Sequence, residues 1–242
     1  MHEYYASNKD KLKRGMDGYL SLIATELEDI CGKPYAEVFE EMWDFYEREL
    51  LEHFPYIGGD SVSGTANLTG AYYFVAMGEV LKRYGADMPT IGYRMVQSYR
   101  RHSAKIPGPA RSLARRAVNS PRLAHSLFTS AFQKKDRKNA ANAAQNPGSF
   151  ETQTMVPPEE GFDFSYHNLV CPLANFARAH GYEEYMPYLC NLDYVLFGML
   201  GVPLFREHTC FEDGDYCDFK VKCGAEPLSP WPPVFMQDNR YK

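Results

Sequence analysis

The sequence predicts an α+β protein in which amino-terminal helices pack with a four-stranded, mainly antiparallel sheet and two further helices in the C-terminal part. Three observations predict it. Apolar residues recur at helical spacing through the first half of the chain. After residue 150 the period changes to two. From there the elements read strand, strand, helix, helix, strand, strand. The chain has 242 residues, 45% of them hydrophobic, enough for one sizeable core or a core with a helical appendage. Modest Leu, Ile and Val content is offset by 18 Tyr, 15 Phe and 10 Met, so the core is expected to be rich in aromatic side chains.

Residues 1–138 read as a mainly helical region. Within it, residues 10–54 are helical. From Pro34, the positions Tyr35, Val38, Phe39, Met42, Tyr46 and Leu50 recur at three- and four-residue steps among Glu and Arg. Core packing explains that stripe without any functional role. Gly58 and Gly59 open a polar loop, and a second helix is expected from about Asn67 to Tyr84, ended by Gly85. Pro89 marks the start of a third, running through Met95 and Tyr99. The low-complexity string KNAANAAQNPG, from Lys138, makes residues 139–149 a linker. Beyond it, residues 150–242 form a cysteine-rich α+β region carrying the site, within what is expected to be one compact domain overall. Strands are predicted over 150–156 and 162–169, helices over 172–180 and 189–200, and a hairpin of strands over 204–210 and 216–223 around the loop FEDGD. No internal repeat is visible.

Charge is unevenly spread. The net charge is −5, which argues against nucleic-acid binding by the molecule as a whole. Residues 99–138, however, hold eleven Lys or Arg and one acid, Asp136, so this segment carries +10 and the remainder −15. Pro107, Pro109 and Pro121 punctuate two short helical stretches there, with Leu113, Val118, Leu123 and Leu127 as apolar positions. Three readings compete: a solvated face balancing the acidic remainder, a lid supplying cations to an anionic substrate, and an amphipathic membrane-surface element. The N-terminus lacks the apolar stretch of a secretory signal, and the apolar runs around 72–77 and 194–203 are too short to span a bilayer. A cytoplasmic protein is expected, with membrane association disfavoured, its six cysteines reduced and the sequon at Asn67 fortuitous.

Five of the six cysteines follow residue 170, and they carry the chemistry. Cys171 precedes Pro172, which suits the first helical position, so Cys171 is the expected N-cap, where free amides and the helix dipole favour a thiolate. An inert buried cysteine is the competing reading. Cys190 and Asp193, three apart, share a helix face; Asp193 stands among Leu192, Tyr194, Val195 and Leu196, so it is expected to be buried with a partner. Alternation places Arg206, His208 and Cys210 on one strand face and Cys217, Phe219 and Val221 on another. If Cys210 pairs with Cys217 the two faces coincide, with His208 opposite Phe219. His167 is the other histidine expected near the thiols. The spacings make no zinc knuckle, and no GxSxG, P-loop or GxGxxG stands in its required context. A divalent metal assembled from distant elements, with Asp193, His208 and Cys190 as candidate ligands, remains an alternative.

The motifs Cys171-Pro172, Cys190-Asn191-Leu192-Asp193, Arg206-Glu207-His208-Thr209 and Gly214-Asp215-Tyr216-Cys217-Asp218-Phe219 occur in this order. Together they resemble the L-2-amino-thiazoline-4-carboxylic acid hydrolase family. The final hairpin is also similar to the 4-vinyl reductase domain, a small-molecule-binding module. The first resemblance implies hydrolysis of a C–N or C–S bond at an amidine-like carbon, as in a 2-aminothiazoline carboxylate, with a small-molecule substrate, no required cofactor and a homodimer left open. On that reading the cluster of thiols, acid, His and Arg assigns Cys217 or Cys171 as nucleophile, Cys190 as a further catalytic candidate, Asp193 as amidine partner or base, His208 as proton carrier, Arg206 as carboxylate clamp, and Thr209 and His167 as further substrate contacts. The second implies a non-enzymatic binding or sensor module.

Overall fold

A computed structural model describes residues 1–212 and 215–237, without the side chains of residues 124 and 125. The amino-terminal layer comprises α1 (Glu3–Ser7), α2 (Lys9–Leu20), α3 (Ala24–Cys31) and α4 (Tyr35–Phe45), the last continuing as a π-turn over Tyr46–Leu51. The helical reading of 10–54 holds with two breaks: a 3₁₀ turn at Ser21–Ile23, and Gly32 in the left-handed region (φ 64°) two residues before Pro34. These helices surround α5 (Ser63–Arg83), which is buried on nearly all sides. It begins four residues before the predicted Asn67. The Ser-Gly-Thr-Ala string that looks like loop is drawn into the helix because Gly64 lies against the Phe150 ring, where a Cβ would sit 2.8 Å from it. Tertiary packing overrides propensity here.

The core is aromatic, as composition predicts. Phe54, Tyr72 and Phe176 meet edge-to-face with centroids 4.9–5.5 Å apart, and buried tyrosines find backbone acceptors: Tyr46 at Thr69 O, Tyr72 at Leu173 O. Each such side chain stabilises by about 1.5–3 kcal/mol through burial, with its hydroxyl satisfied.

α6 (Met88–Ser103) starts as the sequence requires, with Asp87 capping the Thr90 amide at 2.9 Å, Pro89 in the first turn, and Arg100 and Arg101 in the last turn. α7 (Gly108–Val118), α8 (Pro121–Leu123) and α9 (Thr129–Ala143) carry the basic segment. α7 has no buried residue, and Leu113 and Leu127, two of the apolar positions of this segment, are 70% and 59% exposed. The predicted linker is corrected in part. Residues 138–143 are the last turns of α9, because Asn139 is buried against Thr152 Oγ1 and Asn142 donates to Ile57 O.

The sheet has order β1-β2-β4-β3, all pairs antiparallel, from β1 (Glu151–Thr154), β2 (Phe164–Val170), β3 (Leu204–Phe205) and β4 (Cys217–Val221). Asp136, the one acid of the basic segment, ties α9 to β1: it accepts from Thr152 Oγ1 at 2.7 Å and from the Thr154 amide at 2.8 Å. Between β2 and β4 stand α10 (Pro172–His180), as predicted and closed by left-handed Gly181, and α11 (Met186–Met199), which starts three residues earlier than expected. α6 packs on α11 through Gly92, where a Cβ would lie 2.1 Å from the Tyr188 ring. Only glycine lets that ring rest against the helix backbone.

The third strand is shorter than alternation predicts. After Phe205 the chain leaves the ladder because the Glu207 and His208 amides turn to the Asp218 carboxylate, at 3.0 and 2.7 Å. Register follows Leu204↔Val221 and Phe205↔Lys220, two residues from the expected Cys210–Cys217 pairing. A shift of two preserves the faces, and the neighbour of Phe219 is therefore Arg206 rather than His208. The intervening loop includes residues 213 and 214, so Gly214 of the motif lies outside the described residues. No helix among the described residues is long and apolar enough to cross a membrane.

Candidate active site

One sheet face carries Tyr166 and Asn168 on β2, paired with Phe219 and Cys217 on β4. Between this face and α5, α6, α9 and α11 lies a cavity of about 500 Å³. Four elements bring the predicted groups to its wall: Cys217 from β4, Cys171 from the start of α10, Cys190 and Asp193 from α11, and Arg206 from the segment after β3. The shared face of Cys190 and Asp193 follows from their helical spacing.

All six cysteines are free thiols, but the cavity thiols differ in character. Cys217 is held below the ordinary thiol value, first because the Cys210 thiol donates to it. The Arg206 charge and the Cys210 amide, 3.1 Å from Cys217 Sγ, add to this and overcome the opposing effect of burial. Cys210 is pushed up by the same contact. Its one proton has a second acceptor, the Asn168 carbonyl at 3.3 Å. Cys171 is the N-cap of α10, as expected, yet burial pushes it up to about 12, more than the Leu173 and Ala174 amides recover. The activation expected of that helix end is outweighed by desolvation. Cys190 is likewise pushed well up by burial.

Arg206 is 8% exposed, and each of its three nitrogens has an acceptor in the protein. Its Nη2 donates to Asp193 Oδ2 at 2.7 Å, Nη1 to Cys190 O at 3.3 Å and Nε to Asp218 O at 3.3 Å, with its carbon 4.0 Å from the Phe219 ring centroid. Burial opposes its charge, but Asp193 more than restores it. The guanidinium thus meets Asp193 directly and adds its charge beside Cys217, while lining the cavity where the sequence reading expects a carboxylate clamp.

Both histidines lie elsewhere. His167 pairs in register with Asp218, on the opposite sheet face from Cys217, where its Nε2 meets Glu159 at 2.7 Å and its ring stacks on Tyr216 at 4.4 Å. The His208 ring also sits beside Tyr216, at 5.2 Å, and its amide is bound to Asp218. Neither lines the thiol cavity. Thr209 is buried and faces a second cavity of about 220 Å³, which shares Cys190 and Arg206 as walls with the first. Among the described residues no group of three or more His, Cys, Asp or Glu is arranged to hold a metal ion. In particular, Asp193 and Cys190 are not joined by His208.

Asp218 explains two of the sequence motifs at once. Its carboxylate accepts the Glu207 and His208 amides and pairs with Lys220 at 2.8 Å. Burial disfavours its charge, but these partners hold it below the usual carboxylate range. It pins the bend that delivers Arg206 onto Phe219. Sequence reasoning missed Lys135, whose side chain enters the cavity with Nζ 5.1 Å from the Phe132 and 5.7 Å from the Tyr166 ring centroids. Its signal was Phe132 three residues before it in the basic run. Of the three readings of that segment, the solvated face describes α7, while Lys135 and Tyr99 give the cavity a wall.

A mixed layer of helices over an antiparallel sheet, enclosing thiols beside an ion pair of buried Arg206 with half-buried Asp193, defines an α+β protein with a cysteine-lined cavity. The family model of L-2-amino-thiazoline-4-carboxylic acid hydrolase matches residues 69–221, the greater part of the chain. The chain belongs to this family. No curated protein and no solved structure matches it.

Proposed function

We propose that the protein is a hydrolase that opens a cyclic amidine-type substrate, a 2-aminothiazoline carboxylate or a related sulfur- and nitrogen-containing metabolite, with Cys217 as covalent nucleophile. The observation that carries this reading is the lowered Cys217 thiol in a cavity shared with the Asp193–Arg206 pair. A carbon between nitrogen and sulfur is electrophilic when its nitrogen is protonated, and a thiolate is the suited attacker. The Cys217 sulfur forms a bond to that carbon. The tetrahedral adduct collapses by breaking a ring C–N or C–S bond, and the departing atom takes a proton. Water then adds to the same carbon, its oxygen stays there, and Cys217 leaves as thiolate. Asp193, oriented by Arg206, holds the positive amidine and carries protons at the carboxylate. No cofactor is required by this scheme.

The test is hydrolysis of L-2-amino-thiazoline-4-carboxylate by wild type and by Cys217→Ser and Asp193→Asn variants, with metal content measured on the same preparation. A loss of more than about 10³-fold in kcat/KM for Cys217→Ser is expected. Full activity in both variants overturns the reading. Stoichiometric metal with chelator-sensitive turnover replaces it by metal-activated water.

A further inference from the structure

We propose that Lys135 is the carboxylate anchor of the thiol cavity, which makes its preferred ligand a zwitterion rather than a simple cation. The inference rests on the cavity being the hydrolase site and assigns a role that Arg206 is placed too tightly to fill. The charged side chains on the cavity wall are Lys135, Asp193 and Arg206. Arg206 and Asp193 satisfy each other at 2.7 Å. Lys135 has no ion pair among the described residues, and its nearest acid in sequence, Asp136, is turned away to Thr152 and Thr154 on β1.

The two cations flank one ring stack. Tyr166 and Phe219 lie 4.5 Å apart and nearly parallel, with Lys135 over Tyr166 and Arg206 over Phe219. Aromatic faces soften the cost of enclosing an ammonium but do not neutralise it. Burial accordingly pulls the Lys135 ammonium below its ordinary value, against the opposing fields of Asp136 and Asp193. An arriving carboxylate removes that cost and gains a charge-assisted hydrogen bond. A ligand with an amidinium at one end and a carboxylate at the other leaves every charge partnered: the amidinium beside the thiolate and Asp193, Asp193 also with Arg206, and the carboxylate with Lys135.

Two measurements test this. In steady-state hydrolysis, Lys135→Met is expected to raise KM for L-2-amino-thiazoline-4-carboxylate about 10- to 100-fold, the range of one charge-assisted hydrogen bond. It should leave kcat within about threefold, leave KM for 2-amino-2-thiazoline, which lacks the carboxylate, unchanged, and be rescued in part by Lys135→Arg. Equal effects on both thiazolines, or none on either, overturn the proposal. The second measurement needs no turnover: alkylation of Cys217 by iodoacetate and by iodoacetamide, followed by peptide mass spectrometry. The iodoacetate-to-iodoacetamide rate ratio is expected to fall at least about fivefold in Lys135→Met, as a local cation's attraction is lost. An unchanged ratio overturns the proposal. So does failure of both reagents to reach Cys217 in the wild type, since a closed cavity holds no anion. If wild type hydrolyses neither thiazoline, the hydrolase reading fails by itself, and the alkylation ratio still decides the role of Lys135.

Discussion

Removing one sulfur next to the proposed nucleophile separates the contributions to its acidity. Cys217 receives a hydrogen bond from the Cys210 thiol and another from the Cys210 amide. In Cys210→Ala the amide and the Arg206 charge remain, and only the thiol donor is lost. A hydrogen bond to a charged acceptor contributes about 1.5–3 kcal/mol, and one pKa unit corresponds to about 1.36 kcal/mol. The full effect is therefore about one to two units. Because the Cys210 proton is shared with the Asn168 carbonyl, 3.3 Å away, the lower end applies, and the Cys217 pKa should rise by about one unit. The assay is the pH dependence of iodoacetamide alkylation at Cys217, read by mass spectrometry. The midpoint moves up, and the rate below the midpoint falls close to tenfold. A midpoint that stays within about 0.3 unit, or moves down, refutes the argument that the neighbouring thiol sets the acidity.

Asp218→Ala should destabilise the fold by about 3–5 kcal/mol in urea unfolding, since it orphans two amides and removes a partner of the buried Lys220; a loss under about 1 kcal/mol refutes that pinning role. The Asp218 carboxyl is held below its ordinary value, so its contribution is fully present above the unfolded carboxylate range, near pH 4, and disappears as pH falls through the lower folded value. Urea midpoints should therefore drop on acidification more steeply in wild type than in Asp218→Ala. Gly92→Ala places a Cβ where the Tyr188 ring lies, and a melting-temperature decrease corresponding to about 1–3 kcal/mol is expected; the double change with Tyr188→Leu should recover part of it.

Much of this architecture was legible in the order of residues. Pro172 after Cys171 and Gly181 at the far end fixed one helix to the residue, because both act through backbone geometry that needs no distant partner. The helical spacing of Cys190 and Asp193 put them on one wall for the same reason. What the sequence concealed depends on partners far along the chain. The strand after Leu204 stops early because Asp218 captures its amides, and no local pattern announces a carboxylate competing with a ladder. His167 looks close to the thiols because alternation alone does not say which face a strand turns to the cavity, and His208 because alternation does not show that its strand ends at Phe205. The N-cap thiol at Cys171 was correctly placed but misjudged in character, since desolvation is a property of the assembled core. Residues 138–143 looked like linker because Ala and Asn runs carry no apolar stripe, yet two of those asparagines bind buried oxygens.

The strand order β1-β2-β4-β3 has a consequence for how the chain reaches its native state. β4 follows every other strand in the sequence, yet it occupies the centre and joins the β1–β2 pair to β3. Until it arrives, β2 presents an open hydrogen-bonding edge beside Phe164 and Tyr166, the kind of surface that other chains can extend. Pairings such as Phe164 with Val221 span more than fifty residues, so the closure is slow compared with helix formation. The proposed nucleophile, Cys217, rides on that last strand. Partly folded chains would thus have their amino-terminal helices in place but no reactive thiol in its pocket, and during that interval self-association would compete with completion of the sheet.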